Sequence, residues 1–290
     1  MKKILIPTLM LFSCLLQAIT AQAQIVVIDT DAIINQDSID QKRIKVQYEM
    51  TYLKDTISED AKPVKETLIL EIGKHISKCY SYNAYVRDSV LLADIQAGAS
   101  QETINEHLNG MGNANISYQI FKHYPAGKVT TLDRLATTNF LCEEEEERPE
   151  WELLPDTATI LSYHCQKATC RFKGRTYTAW YTMEIPVSDG PWKLFGLPGL
   201  IVQAEDTRKH YRFRCTGVEQ CETSEPMLIH LKGREKISRK NLNKMYERMA
   251  KDPIGFMASA APNVKVNVTD EHGNPIKSFS MPYNPIELAE

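Results

Sequence analysis

The sequence predicts a mainly β (α+β) fold: a curled antiparallel meander of about ten strands, with short helical insertions and a C-terminal helix. Three observations predict it. Apolar and polar residues alternate through several short runs, as in strands with one buried face. The runs follow one another through short turns, which favours antiparallel neighbours. A meander this long must curl into a barrel, part-barrel or sandwich to hide its apolar face.

The chain opens MKKILIPTLMLFSCLLQAITAQAQ. Lys2 and Lys3 form a basic n-region, Ile4 to Leu16 an apolar h-region, and Ala21-Gln22-Ala23 a small-x-small site. That anatomy predicts a signal peptide over 1–23, cleaved after Ala23, and an exported, periplasmic or envelope-associated product. A looser lipidation box at Leu11-Phe12-Ser13-Cys14 is the alternative, with Cys14 as lipid-bearing terminus. Of 290 residues, removing 23 leaves 267, read as one domain over 24–290 with a loose leader over 24–42. Losing two lysines moves the formal charge from −3 to −5, which argues against a nucleic-acid partner.

The first strand is Arg43 to Leu53, where Ile44, Val46, Tyr48, Met50 and Tyr52 alternate with polar residues. Glu66 to Tyr85 gives two more, broken at Gly73-Lys74. Arg87 to Ala97 is helix-spaced and stops at Gly98, and Ser100 caps a second short helix. Strands resume at Ile116 to His123 and run on to Cys142. Glu143 to Glu147 reads as a solvated loop extended by its own repulsion. The densest β signal spans Thr159 to Val202. Within it Tyr177, Ala179, Tyr181, Met183 and Ile185 share one face of a strand, and Lys173-Gly174 makes the hairpin before it. Pro186 ends that strand. Leu200 to Ala204 and Tyr211 to Gly217 follow. Ser238 caps a late helix with an apolar stripe of Leu242, Met245, Tyr246 and Met249, stopped at Asp252-Pro253.

Six cysteines follow the leader, and an even count in an exported chain predicts disulfides: Cys165–Cys170, Cys215–Cys221 and, by what remains, Cys79–Cys142. Four and five intervening residues fit zinc-ligand spacing poorly, so no metal and no cofactor is expected.

The stretch from Cys165 to Tyr181, then Glu184-Ile-Pro, then GPWKLFGLPGLIVQAED at 190–206, closely resembles the GLPGLI family of exported proteins of Gram-negative bacteria. Tyr118 to Pro125, the spacing of Trp151, Asp156, Ile160 and Tyr163, and Tyr283 to Leu288 extend the resemblance over most of the chain. Its signature residues fall here on Trp192, Gly196, Leu197, Pro198, Gly199, Leu200 and Ile201. The resemblance implies an open, half-barrel-like layout similar to that of envelope lipid carriers, and carries over no catalytic residue. Pro198-Gly199 suits the centre of a type II turn, with glycine at φ > 0.

No G-x-S-x-G, H-E-x-x-H or phosphate-loop motif occurs. His164 and Cys165 are strand neighbours that point to opposite faces. Asp189, Glu205 and Asp206 flank the signature as candidate acid/base carboxylates. Trp180, Trp192, Phe195, Arg171 and Arg175 form the candidate ligand or partner surface, the two arginines as an anion clamp. The reading is a non-enzymatic envelope protein that binds an apolar ligand, a lipid or peptide, or docks to an outer-membrane partner. A carboxylate hydrolase and a structural support module are the alternatives.

Overall fold

The computed structural model describes residues 35–112, 114–221, 225–260, 268–270, 272 and 274–288, and the backbone alone of 4–8, 19–21 and 24–28. The leader's h-region therefore lies largely outside the described residues. Its first residues, 4–8, pair as a strand with 24–28.

Alternation dictates the first strands. β1 (Asp37–Gln41) precedes β2 (Ile44–Tyr52), whose five predicted inward residues are all buried. β3 (Val64–Ile72) and β4 (Ser77–Ser81) follow. Helix α1 (Tyr82–Gln96) begins earlier than periodicity suggests, because the Ser81 hydroxyl accepts the Ala84 N–H as N-cap. Ser100 caps α2 (Gln101–Gly110) as expected. Then come β5 (Gln119–Lys122), β6 (Lys128–Leu135) and β7 (Thr138–Glu145). β8 (Glu152–Ile160), β9 (Tyr163–Phe172), β10 (Arg175–Thr182), β11 (Leu200–Asp206) and β12 (Tyr211–Gln220) form the second run. β13 (Pro226–Ile229), β14 (Glu235–Lys236), α3 (Arg239–Lys251), α4 (Pro253–Ala260) and β15 (Val268–Asp270) complete the set. The class is as predicted, with fifteen strands between Asp37 and Asp270 among the described residues rather than about ten. The glutamate run is no loop at its start, since Glu143 to Glu145 continue β7. Part of the leader is also ordered: β1 pairs with β13.

Twelve strands form one sheet in the order β8-β9-β10-β11-β12-β2-β3-β4-β5-β6-β7-β14. It is two meanders, β2 to β7 and β8 to β12, joined where β12 lies antiparallel to β2. Only the short β14 runs parallel to its neighbour. β7 and β8 stand ten strand spacings apart, about 48 Å across a flat sheet. Residues 146–151 alone connect them, a span of about 25 Å at most. The sheet must therefore curl until its two ends approach each other. No ladder closes it into a barrel.

Inside the curl, one cluster unites residues from both meanders, including Tyr48, Met50, Leu70, Ile120, Ala168, Tyr177 and Phe213. The β1–β13 ribbon covers the outer face through Phe121, Leu132, Leu141 and Ile229. Helices α3 and α4 pack Leu242 and Phe256 on Leu135, Phe140 and Cys142. No helix among the described residues is long and apolar enough to cross a membrane.

The predicted disulfides are corrected. All six cysteines are free thiols. Cys165 and Cys170 lie on one extended strand, five residues or about 17 Å apart. A disulfide needs Cα atoms within about 7 Å. Cys215 and Cys221 are separated along β12 and its continuation in the same way. Cys79 and Cys142 share a row of the sheet, with Ile120 and Thr131 between them. No cluster of three metal-capable side chains occurs among the described residues.

Candidate functional site

The connection between β10 and β11, residues 183–199, drops into the curl. Trp192, Leu194, Phe195, Leu197 and Leu200 are all buried. The apolar turn is therefore core. Trp192 sits at a left-handed φ of 54°. Its ring meets Phe172 of β9 and Tyr177 of β10, and its backbone N–H donates to Cys79 Sγ of β4 at 3.4 Å. It thus bridges opposite walls of the curl. Backbone oxygens of the segment are claimed from around it. Lys122 Nζ donates to Gly190 O at 2.6 Å and Tyr48 Oη to Ile201 O at 2.7 Å. Trp151 Nε1 donates to Phe195 O at 2.8 Å and Arg148 Nη2 to Gly196 O at 2.7 Å.

The expected type II turn is corrected. Gly196, at φ 99°, supplies the left-handed residue, and Gly199 is not among the positive-φ glycines. Gly199 is required for a different reason: a Cβ there would stand 2.0 Å from the Thr182 carbonyl oxygen. It lets two backbones touch.

Lys193, the lone charge in the apolar turn, is buried at 2% exposure. It pairs with Glu144 of β7 at 2.6 Å and Glu287 near the C-terminus at 2.7 Å. Arg239 of α3 joins the same ring at 2.9 Å from Glu144. Burial alone would raise the Glu144 carboxyl, but Lys193 and Arg239 outweigh it and hold it down to about 2.

The candidate surface does not assemble. Arg175 is buried and committed: to Asp206 at 3.0 Å, Asn284 Oδ1 at 2.8 Å and the carbonyls of Pro285 and Ile286. It anchors the C-terminal strap, residues 281–288, and clamps no anion with the exposed Arg171 on the opposite face. Trp180 lies half-buried on the outer face under Lys167, while Trp192 and Phe195 lie within. Nor do the flanking carboxylates pair. Asp189 is bound to Lys122, Asp206 to Arg175, and Glu205 to Arg212 at 3.0 Å. The missed site is elsewhere.

A cavity of about 590 Å³ opens where the sheet's inner face meets the end of α2, helix α3 and the strap. Met50, Tyr52, Tyr118, Trp192 and Tyr211 form its sheet side, and Tyr246, Met249 and Tyr283 the opposite wall. The strap is fastened at both ends of this wall: Met281 N to Ala250 O at 2.7 Å, and Leu288 N to Lys173 O at 3.1 Å. Two buried carboxyls line the cavity, Glu287 of the ring and Asp133. Asp133 accepts from Ser117 Oγ at 2.7 Å, Tyr246 Oη at 2.6 Å and its neighbour's N–H at 2.8 Å. Burial, larger than those bonds, raises its pKa. Sequence held one signal for it: Asp133 shares strand parity with Val129 and Thr131 and so points inward.

Residues 170–203 match a family described as "Protein of unknown function (Porph_ging)". The match takes in β10, the buried connection and the hexapeptide at 196–201, a fraction of the chain. Two solved structures are similar in outline. One, "Structure of PNGF-II in P21 space group", is 11% identical, with a TM-score of 0.49 over 72% of this chain and 34% of that one. The other, the same protein in space group C2, is 13% identical with a TM-score of 0.46, over 72% and 32%. The chain thus spans about a third of the length of the structures it matches. No curated protein sequence matches it.

Proposed function

We propose that this chain is an exported, non-enzymatic binding protein whose cavity holds an apolar ligand. The supporting observation is the cavity itself: about 590 Å³, with six aromatic and four methionine side chains in a wall that also carries polar and charged ones. That volume lies in the usual range for small-molecule sites, about 300–1,000 Å³. Methionines give such a wall an adaptable shape. Carboxylate hydrolysis is the weaker reading. Asp133 is the one cavity carboxyl outside the Lys193–Arg239 ring, and its hydrogen bonds tie it to the fold.

The test is gentle extraction of the native protein and mass spectrometry of what co-purifies, beside titration with an apolar dye followed by Trp192 emission. A bound lipid or peptide, displaced by the dye, is expected. Recovery of nothing, with no dye binding, sinks the reading. A Tyr118→Trp variant that narrows the cavity should weaken dye binding while the melting temperature stays close to the parent's.

A further inference from the structure

Resting on the reading of the cavity as an apolar-ligand site, we propose that its occupant is an amphiphile with an acidic head. The head would sit at the corner where β2 ends and α1, the end of α2 and residues 114–117 meet.

Cations outnumber carboxylates on the cavity wall. Lys54, Arg87, Arg134 and Arg239 line it, against Asp133 and Glu287. Arg239 and Glu287 belong to the ring with Lys193 and Glu144, which is balanced in itself. Arg134 has a carboxylate partner, Asp88 at 3.4 Å. Lys54 and Arg87 differ from these, because their hydrogen-bond partners are neutral. Lys54 Nζ donates to Asn115 Oδ1 at 3.0 Å. Arg87 Nη1 donates to the carbonyls of Leu108 at 3.0 Å and Gly112 at 3.3 Å. An ammonium carries three donors and a guanidinium five, so both retain donors beyond these contacts.

Asp88, beside Arg87 on α1, is shared with Arg134, and the other nearby carboxyls do not offset these cations fully. Burial raises the pKa of Asp133, and burial likewise raises that of Glu66 beneath Lys54. Glu66 already accepts from Ser81 Oγ at 2.5 Å and Asn115 N at 3.0 Å. Arg87 is half-buried, and loss of water there strengthens its attraction for an anion. The corner thus presents charge-assisted donors with the fork geometry that carboxylate or phosphate oxygens accept. Ile116, Tyr118, Met50 and Trp192 line the same cavity and belong to one apolar cluster. One end suits an anionic oxygen group, and the rest suits hydrocarbon.

The experiment compares myristate, myristyl phosphate, myristyl alcohol, myristylamine and inorganic phosphate by calorimetric titration of the full chain. Myristate and myristyl phosphate should bind about tenfold tighter than the alcohol, the gain of one charge-assisted contact. Lys54→Gln and Arg87→Gln should each shrink that gap, lowering the affinity of the acids more than that of the alcohol. If Arg87→Gln melts early, Lys54→Gln alone decides. Equal binding of acid and alcohol, or preference for the amine, overturns the acidic head while the apolar cavity stands. Inorganic phosphate binding as tightly as myristyl phosphate removes the role of the tail and overturns the amphiphile. Failure of every chain, the alcohol included, overturns this inference together with the reading it rests on.

Discussion

Replacing Glu144 by glutamine tests whether the buried ring holds the signature segment in place. Glu144 contacts Lys193 at 2.6 Å and Arg239 at 2.9 Å. Its carboxyl is held at about 2, against an ordinary 4.5. At about 1.4 kcal/mol for each tenfold change in proton affinity, the charged form gains about 3 kcal/mol from folding. Breaking one partner of a buried pair costs about 3–5 kcal/mol. Glu287 keeps a hold on both cations, so the lower figure applies. The pH dependence follows in sign. A carboxyl with a depressed folded pKa contributes fully above its unfolded value, and the contribution fades as pH falls from about 4.5 toward 2. Urea denaturation of parent and Glu144→Gln proteins should therefore differ by about 3 kcal/mol at pH 7. The gap should narrow steadily below pH 4.5. A deficit under about 0.5 kcal/mol at pH 7, or one that stays constant on acidification, refutes the assignment.

Three further outcomes follow. Gly199→Ala should cost about 3 kcal/mol or more, because the obstacle at 2.0 Å is backbone. Gly98→Ala, at φ 67° with open space around it, should cost only about 1 kcal/mol. Thermal melts that reverse this order refute the close-approach account. Removing the Arg175 guanidinium, as in Arg175→Met, should expose the strap. Cleavage between 281 and 288 in limited proteolysis should precede cleavage of the sheet, and simultaneous cleavage would contradict the anchoring role. A non-reducing peptide map should contain no Cys165–Cys170 or Cys215–Cys221 bridge. In the native state Cys221, half-exposed, should alkylate before the five buried thiols, which burial also pushes up in pKa.

How much was legible follows from which signals are local. Strand β2, the Lys173-Gly174 hairpin with both φ values positive, and the Ser100 and Ser238 caps depend on neighbouring residues alone. The pairing of β12 with β2 depends on residues some 170 positions apart, and no periodicity reveals it. The disulfide expectation failed for a related reason. Spacing in sequence was read as proximity, but an extended strand turns five residues into about 17 Å. Glu144 was read with its glutamate neighbours as solvated, because only the fold brings Lys193 and Arg239 to it. The cavity was illegible for the same cause. Its walls come from β2, β6, α2, α3 and the strap, and Asp133 joins them only by strand parity and long-range packing.

The apolar turn and the strap are one mechanical unit. Lys193 of the turn and Glu287 of the strap share an ion pair in the ring, at 2.7 Å. Trp192, next to Lys193, is a wall of the cavity and at the same time packs on Phe172 and Tyr177 in the core. Whatever loosens the ring therefore moves the strap and the tryptophan together, and both are cavity walls. This coupling explains why a buried lysine sits in an otherwise apolar turn. A leucine there would pack on the core as well, but it would leave Glu287 without its closest cation and the strap without its tie to the apolar turn. Lys193→Leu should accordingly weaken dye binding in the cavity more than Lys122→Leu. Lys122 pairs with Asp189 and donates to Gly190 O, and neither of these partners belongs to the strap. Equal effects of the two variants on binding would separate the ring from the cavity.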